Sequence, residues 1–286
     1  MGGFIFVYLF FNIVYNLTMS LSELEKYYNK FNEDKRLLSR HGIVEFTTTT
    51  KYIDEVLQII ATQKSKNNDD SQISIADIGA GTGRYTKYYF DKGYSITAVE
   101  LVKQNLVRLK EKCPQVTAYQ QNALNLKKLK SNSFDVVLLL GPMYHLFDND
   151  KITALNEAKR IVKNNGFIIV AYLLNDYAVI TYAFKENNLK QVLNDNKLTD
   201  NFLTNTTEKD LYSYDTLDKI DSYKNACNLT RYKIISPDGP TDYMRQSINK
   251  MDDFTFEHYL KYVQTIAERS DLLGASSHIV DILIKK

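Results

Sequence analysis

The stretch Ala76-Asp77-Ile78-Gly79-Ala80-Gly81-Thr82-Gly83 decides the fold. A β-branched run starting at Ile73 leads into it, and a helix-like stretch, Arg84–Lys92, follows it. Strand, glycine turn and helix in that order place the glycines at the carboxyl end of a strand, where open α/β sheets bind their ligands. Glycine permits the tight turn and lets a ligand touch backbone. The helix start behind it offers unpaired N–H groups.

The spacing narrows the ligand. A dinucleotide site reads G-x-G-x-x-G, but here the glycines fall at 79, 81 and 83, and Arg84 stands where the third would be. A phosphate loop of the Gly-Lys-Ser/Thr kind is absent. Asp77 precedes the glycines, and its negative charge suits an amine or sulfonium better than a pyrophosphate. Glu100 ends the next strand, Ser95–Glu100, where a carboxylate can accept hydrogen bonds from ribose hydroxyls.

Outward from this unit the pattern repeats. Further strands are read at Val116–Gln120, Phe134–Leu140, Gly166–Leu173, Leu229–Ser236 and Ser277–Ile284. Helical spacing covers Leu101–Leu109, residues 150–163 and Phe254–Arg269, and Thr47–Thr50 is read as the cap of a helix through Tyr52, Ile53, Val56, Leu57 and Ile60. Alternating strands and helices predict an α/β fold with a doubly wound, mostly parallel seven-stranded sheet. Residues 176–228, rich in Asn, Asp, Lys and Tyr, interrupt the rhythm and are read as a helical insertion.

With these motifs in place the sequence resembles the class I S-adenosylmethionine-dependent methyltransferases, in particular a bacterial subset that looks directed at small molecules. Asp77-Ile-Gly-Ala-Gly-Thr-Gly83 is similar to their first motif, and Glu100 to their ribose-binding acid. Gln121-Asn122-Ala123 is similar to the adenine-contacting step, and Phe134–Val137 with Leu140–Leu146 to the fourth motif. The resemblance is close over 73–174 and looser over 27–50 and 272–278. It implies S-adenosyl-L-methionine as cofactor, held by Asp77, Gly79, Gly81, Gly83, Glu100, Leu101, Asn122, Ala123 and Leu140. It also implies a Rossmann-like core (71–175 and 229–286), an N-terminal helical lid (19–66) and a cap over the substrate (176–228).

Methyl transfer from a sulfonium is an in-line displacement, so the protein chiefly aligns the acceptor and excludes water. A base is needed only where the acceptor must lose a proton. Tyr144 and His145, after the fourth strand, are the candidates for acceptor positioning, with His145 a possible base. Tyr28, Arg40, His41 and Glu45 are the lid candidates. His258 and His278 have no partner at ligand spacing, and no metal is expected.

Composition limits the alternatives. Lys and Arg number 36 against 34 Asp and Glu, a net charge of +2, so tight phosphate-driven nucleic-acid binding is not announced. The run Lys127-Lys128-Leu129-Lys130 reads as a solvated face. Action on tRNA, rRNA or protein, and a non-catalytic nucleoside-binding module, remain the alternative readings to a small-molecule methyltransferase. An NAD(P) oxidoreductase is disfavoured by Arg84. Two well-separated cysteines, Cys113 and Cys227, fit a reducing cytoplasm. Residues 1–18 form an apolar run interrupted by Asn12 and Asn16. It reads as a dispensable leader before a start at Met19, an extra helix or arm, or a membrane anchor; the cytosolic cofactor favours the first, with no stable membrane association.

Overall fold

The computed structural model describes residues 39–286. The apolar run 1–18, Tyr28 and the first part of the 19–66 lid lie outside the described residues. The seven expected strands are present: β1 (Ser74–Ile78), β2 (Ser95–Glu100), β3 (Thr117–Gln120), β4 (Phe134–Leu139), β5 (Val162–Leu173), β6 (Thr230–Ile235) and β7 (His278–Ile284). They form one sheet in the order β3-β2-β1-β4-β5-β7-β6. The first five strands run parallel, and β7 pairs antiparallel with both β5 and β6. The chain therefore returns down the sheet only at its end, so His278 opens β7 directly beside Leu173 at the close of β5. The carboxyl ends of β1, β4, β5 and β6 and the start of β7 all meet at one edge.

Helices cover both faces, as a mostly parallel sheet requires. On one face lie α1 (Arg40–Lys66), α2 (Arg84–Asp91) and α3 (Lys103–Lys112), through Tyr52, Ile53, Val56, Leu57, Tyr89 and Leu109. On the other lie α4 (Asn149–Ile161) and α7 (Leu217–Ala226), through Ala154, Leu155, Ala158 and Ile220. Between β5 and α7 the chain makes α5 (Asn175–Ala178), a π-helical turn Val179–Lys185 and α6 (Leu189–Asn194), and then runs without helix to Leu217. Between β6 and β7 it makes a 3₁₀ turn Gly239–Asp242, α8 (Arg245–Lys250), α9 (Asp253–Ile266) and a second 3₁₀ turn, Ser270–Ala275.

One expectation is corrected. Thr47–Thr50 caps nothing: α1 starts at Arg40 and runs straight through it. The apolar spacing extends back to Val44, and the Thr50 hydroxyl donates to the Phe46 carbonyl at 2.9 Å inside the helix. Hydroxyl residues accept an interior place on these terms because such a bond competes with capping.

A buried ion pair fastens the excursion after β5 to the core. Lys151 of α4 and Asp215 are each 1% exposed, and the Lys151 ammonium donates to Asp215 Oδ2. The Tyr223 hydroxyl donates to Asp215 Oδ1 at 2.9 Å, and the Asp215 N–H donates to the Leu173 carbonyl at 2.8 Å. Asp215 thus clamps the end of the irregular segment against the carboxyl end of β5.

Candidate functional site

The glycine turn sits between β1 and α2, and each glycine does a different thing. Gly79 and Ala80 donate to the Val99 carbonyl at 2.7 and 3.0 Å, tying the turn to β2. Gly79, Gly81 and Gly83 all hold positive φ (72°, 57° and 87°), the left-handed region that side chains resist. A Cβ on Gly79 would lie 2.5 Å from Pro142, and one on Gly83 would lie 2.9 Å from Leu109. A Cβ on Gly81 would meet nothing within 4 Å, so here the backbone faces open space.

Glu100, at the end of β2, reaches across to that open backbone. Its carboxylate accepts from the Gly81 N–H and from the Val102 N–H, both at 2.8 Å. Burial pushes its pKa up against these two donors and the Asn105 side chain. Leu101 follows it, half-buried, its carbonyl accepting from Gln120 at 3.0 Å. After β3, the Asn122 side-chain oxygen accepts from the Leu124 N–H at 3.0 Å, a local turn that sets Ala123 against the core. Leu140 and Gly141 follow β4 beside the turn, and the Gly141 position lies against the Gly79 carbonyl.

Asp77 is 3% exposed and accepts from the Thr86 hydroxyl at 2.6 Å. Burial pushes its pKa up to about 6, against the hydrogen bonds from Thr86. A carboxylic acid raised from 3.8 to about 6 favours folding in its neutral form, so this contribution fades as pH rises from 3.8 through 6 and the desolvation cost is complete above that. Asp77→Asn should therefore raise the melting temperature at pH 7.5, on the order of 2 kcal/mol, and change little at pH 4. A lower melting temperature at pH 7.5 in a thermal-shift measurement would contradict this account of the buried charge.

The lid candidates separate. Arg40 donates to Asp253 at 2.6 Å and lies over the Phe256 ring at 4.9 Å, and His41 bonds Asn249 at 3.2 Å. Both anchor the start of α1 to α8 and α9 rather than face the glycine turn. Glu45, one turn on, lies within electrostatic reach of Tyr85 and of His278. Arg84, which stands in place of a dinucleotide glycine, stacks on Phe46 at 3.9 Å and donates to the Gly42 carbonyl at 3.4 Å, holding α1 over α2.

Tyr144 ends the 3₁₀ turn Pro142–Tyr144 and His145 follows it. His145 Nδ1 lies 2.7 Å from the Leu211 carbonyl and its ring stacks on Tyr212, with centroids 5.3 Å apart. The Tyr144 carbonyl accepts from the Ser213 N–H at 2.8 Å. This pair therefore also joins the loop after β4 to residues 211–213. The Tyr144 ring lies 5.5 Å from that of His278.

His278 is the residue that sequence spacing passed over. Its Nδ1 lies 2.8 Å from Asp238 Oδ2, and Asp242 is close enough that one ligand-type atom from each of the three lies within 4.8 Å of the others. The partners come from the ends of β6 and β7, far apart in sequence but adjacent in the sheet; only the strand order brings them together. The Asp238 oxygens already accept from the Ser276 and Ser277 hydroxyls and from His278. We read the group as a saturated hydrogen-bond network rather than a metal cage.

Comparison with known proteins follows this geometry. Residues 76–170 match the methyltransferase domain family. An uncharacterized protein of Methanocaldococcus jannaschii is 28% identical over 136 residues, 47% of this chain and 56% of that protein. An uncharacterized methyltransferase of Alkaliphilus oremlandii is 26% identical over 127 residues, 44% of this chain and 56% of that protein. The chain thus spans about half the length of these curated relatives. Among solved structures, an S-adenosylmethionine-dependent methyltransferase of Thermotoga maritima, described as a possible histamine N-methyltransferase, superposes with a TM-score of 0.52 at 17% identity, covering 91% of this chain and 98% of that one. A second S-adenosylmethionine-dependent methyltransferase, from Methanosarcina mazei, gives 0.51 at 13% identity, covering 77% and 95%. These likenesses show the fold. No helix among the described residues is long and apolar enough to cross a membrane.

Proposed function

We propose that this chain, whose residues 76–170 match a methyltransferase domain family, transfers a methyl group from S-adenosylmethionine to a small-molecule acceptor. The observation that carries the reading is the pairing of an open Gly81 backbone with the buried Glu100 carboxylate on one strand edge. A nucleoside fits there: its ribose hydroxyls replace backbone donors on Glu100, and its chain runs over Gly81. Leu101, Asn122, Ala123 and Leu140 flank the base and the ribose in this reading, and Asp77 and Gly79 lie under the methionine end. When bound, the cofactor supplies a methyl group made electrophilic by a sulfonium.

The chain's own contribution is alignment and exclusion of water. In this reading Glu45 on α1, Tyr144 after β4 and His278 on β7 surround the acceptor side, and the 19–66 lid and the 176–228 insertion roof it. A small acceptor suits this enclosed, mixed-charge wall. A groove of about 550 Å³ lined by Lys103, Lys110, Lys128 and Tyr119 is the feature favouring a nucleic-acid acceptor. It opens beside β3, at the opposite end of the sheet from β7, and so lies away from the acceptor wall.

Glu100→Gln tests the ribose assignment. Loss of two charge-assisted hydrogen bonds should weaken S-adenosylhomocysteine binding by about 1–3 kcal/mol. The free protein should lose about 1–2 kcal/mol of stability as well, because Gln keeps an oxygen for only one of the Gly81 and Val102 N–H groups and turns an NH2 toward the other. Unchanged affinity by calorimetry would refute the assignment.

A further inference from the structure

We propose that His278, oriented by Asp238, receives the proton of a hydroxyl or ammonium acceptor during methyl transfer. This rests on the methyltransferase reading and adds a residue to it. Three observations carry it. First, His278 is 8% exposed and lies at the carboxyl edge of the sheet, its ring 5.5 Å from that of Tyr144. Second, its Nδ1 is committed to Asp238 at 2.8 Å, which fixes the ring and leaves Nε2 on its opposite side. Third, two carboxylates from separate elements cluster with the ring, Asp238 after β6 and Asp242 in the 3₁₀ turn, and Glu45 on α1 lies within electrostatic reach of it. An imidazole held at one nitrogen by a carboxylate, with its other nitrogen left to meet a substrate, is the arrangement of an oriented base.

The chemistry balances without a further reactant. The step needs His278 in its neutral form: Nε2 takes the acceptor's proton, which for an ammonium must leave first to free the lone pair; that pair forms the new bond to the methyl carbon, and the carbon–sulfur pair returns to sulfur. The imidazolium then sits among Asp238, Asp242 and Glu45. Arg245 offsets part of that field through its 3.0 Å pair with Asp242, and the Ser277 hydroxyl bonds Asp242 and His278. Burial alone would lower the His278 pKa; Glu45, Asp238 and Asp242 outweigh it and raise it to about 9. His145 does not share this environment, since its Nδ1 lies on the Leu211 carbonyl and its ring on Tyr212.

The test uses the full chain bound to S-adenosylhomocysteine. Imidazole ¹⁵N resonances of the 4 histidines are titrated, with His278 assigned from its loss in H278N. His278 should titrate near 9 and show the Nδ1–H form above it. E45Q should move that titration down by about one unit. Because only the neutral ring can take a proton, transfer to tyramine should rise with pH through the His278 titration; a rate that ignores that titration overturns the proposal, and indifference to E45Q removes Glu45 from it. A kinetic arm uses tyramine, which offers a phenol and an amine, and 4-nitrothiophenol, which is ionised and needs no base. H278N should slow transfer to tyramine about a hundredfold and spare 4-nitrothiophenol; equal losses on both would mark a structural role. Failure to bind S-adenosylhomocysteine would instead refute the methyltransferase reading, so the two failures are distinguishable.

Discussion

Lys151→Met should cost about 3–5 kcal/mol of stability. The substitution leaves the Asp215 carboxylate 1% exposed with only the Tyr223 hydroxyl against it. Burial pushes the Lys151 pKa below its ordinary range, and attraction to Asp215 only partly offsets this. The pair is therefore costly to assemble and costlier to break. Replacing both partners, Lys151→Met with Asp215→Leu, should recover most of the loss, since a well-packed apolar pair avoids desolvation altogether. Urea unfolding of the two single variants and the double variant reads this directly. A single-variant loss below about 1 kcal/mol would mean that water reaches the pair. Because Asp215 also accepts the Asn175 N–H and donates to Leu173, the single variants should further loosen residues 195–214, detectable by limited proteolysis.

Gly79→Ala should be the most damaging change within the glycine turn. Its φ of 72° penalises any side chain, and the new methyl would lie 2.5 Å from Pro142. Backbone strain and overpacking together should cost about 2–5 kcal/mol. Relief requires the loop after β4 to move away, and that loop carries Tyr144 and His145. Cofactor binding should therefore fall with stability. Gly81→Ala makes the informative contrast. Its φ of 57° also carries strain, but its Cβ meets no atom within 4 Å. It should cost about 1 kcal/mol in stability while blocking the space assigned to the cofactor. Equal damage to folding from the two would remove the distinction between a packing glycine and a ligand-facing one.

The strands were legible because each is a short β-branched run bounded by polar turns, and the glycine turn falls where it was read, between β1 and α2. Glu100 was legible for the same reason, as it ends a strand whose position the pattern defines. Four features were not. The antiparallel β7 reads like any apolar strand, and only pairing reveals its direction. Lys151 and Asp215 each look like surface charges, since nothing local announces burial. Asp238 and His278 are joined by the adjacency of β6 and β7 rather than by spacing. Thr47–Thr50 looked like a helix start because hydroxyl residues prefer caps, whereas Val44 and the turns behind it carry the helix through. One signal was available: Ser276-Ser277-His278 opening a strand places three polar groups at the sheet edge where ligands gather.

The central claim is that the edge formed by Gly81 and Glu100 holds the nucleoside of S-adenosylmethionine. Calorimetric titration of the unmodified chain with S-adenosylhomocysteine, run beside NAD, tests it most directly. The account predicts saturable binding of one S-adenosylhomocysteine per chain and no heat from NAD. Absence of binding by S-adenosylhomocysteine and S-adenosylmethionine alike, or a preference for NAD, would contradict it.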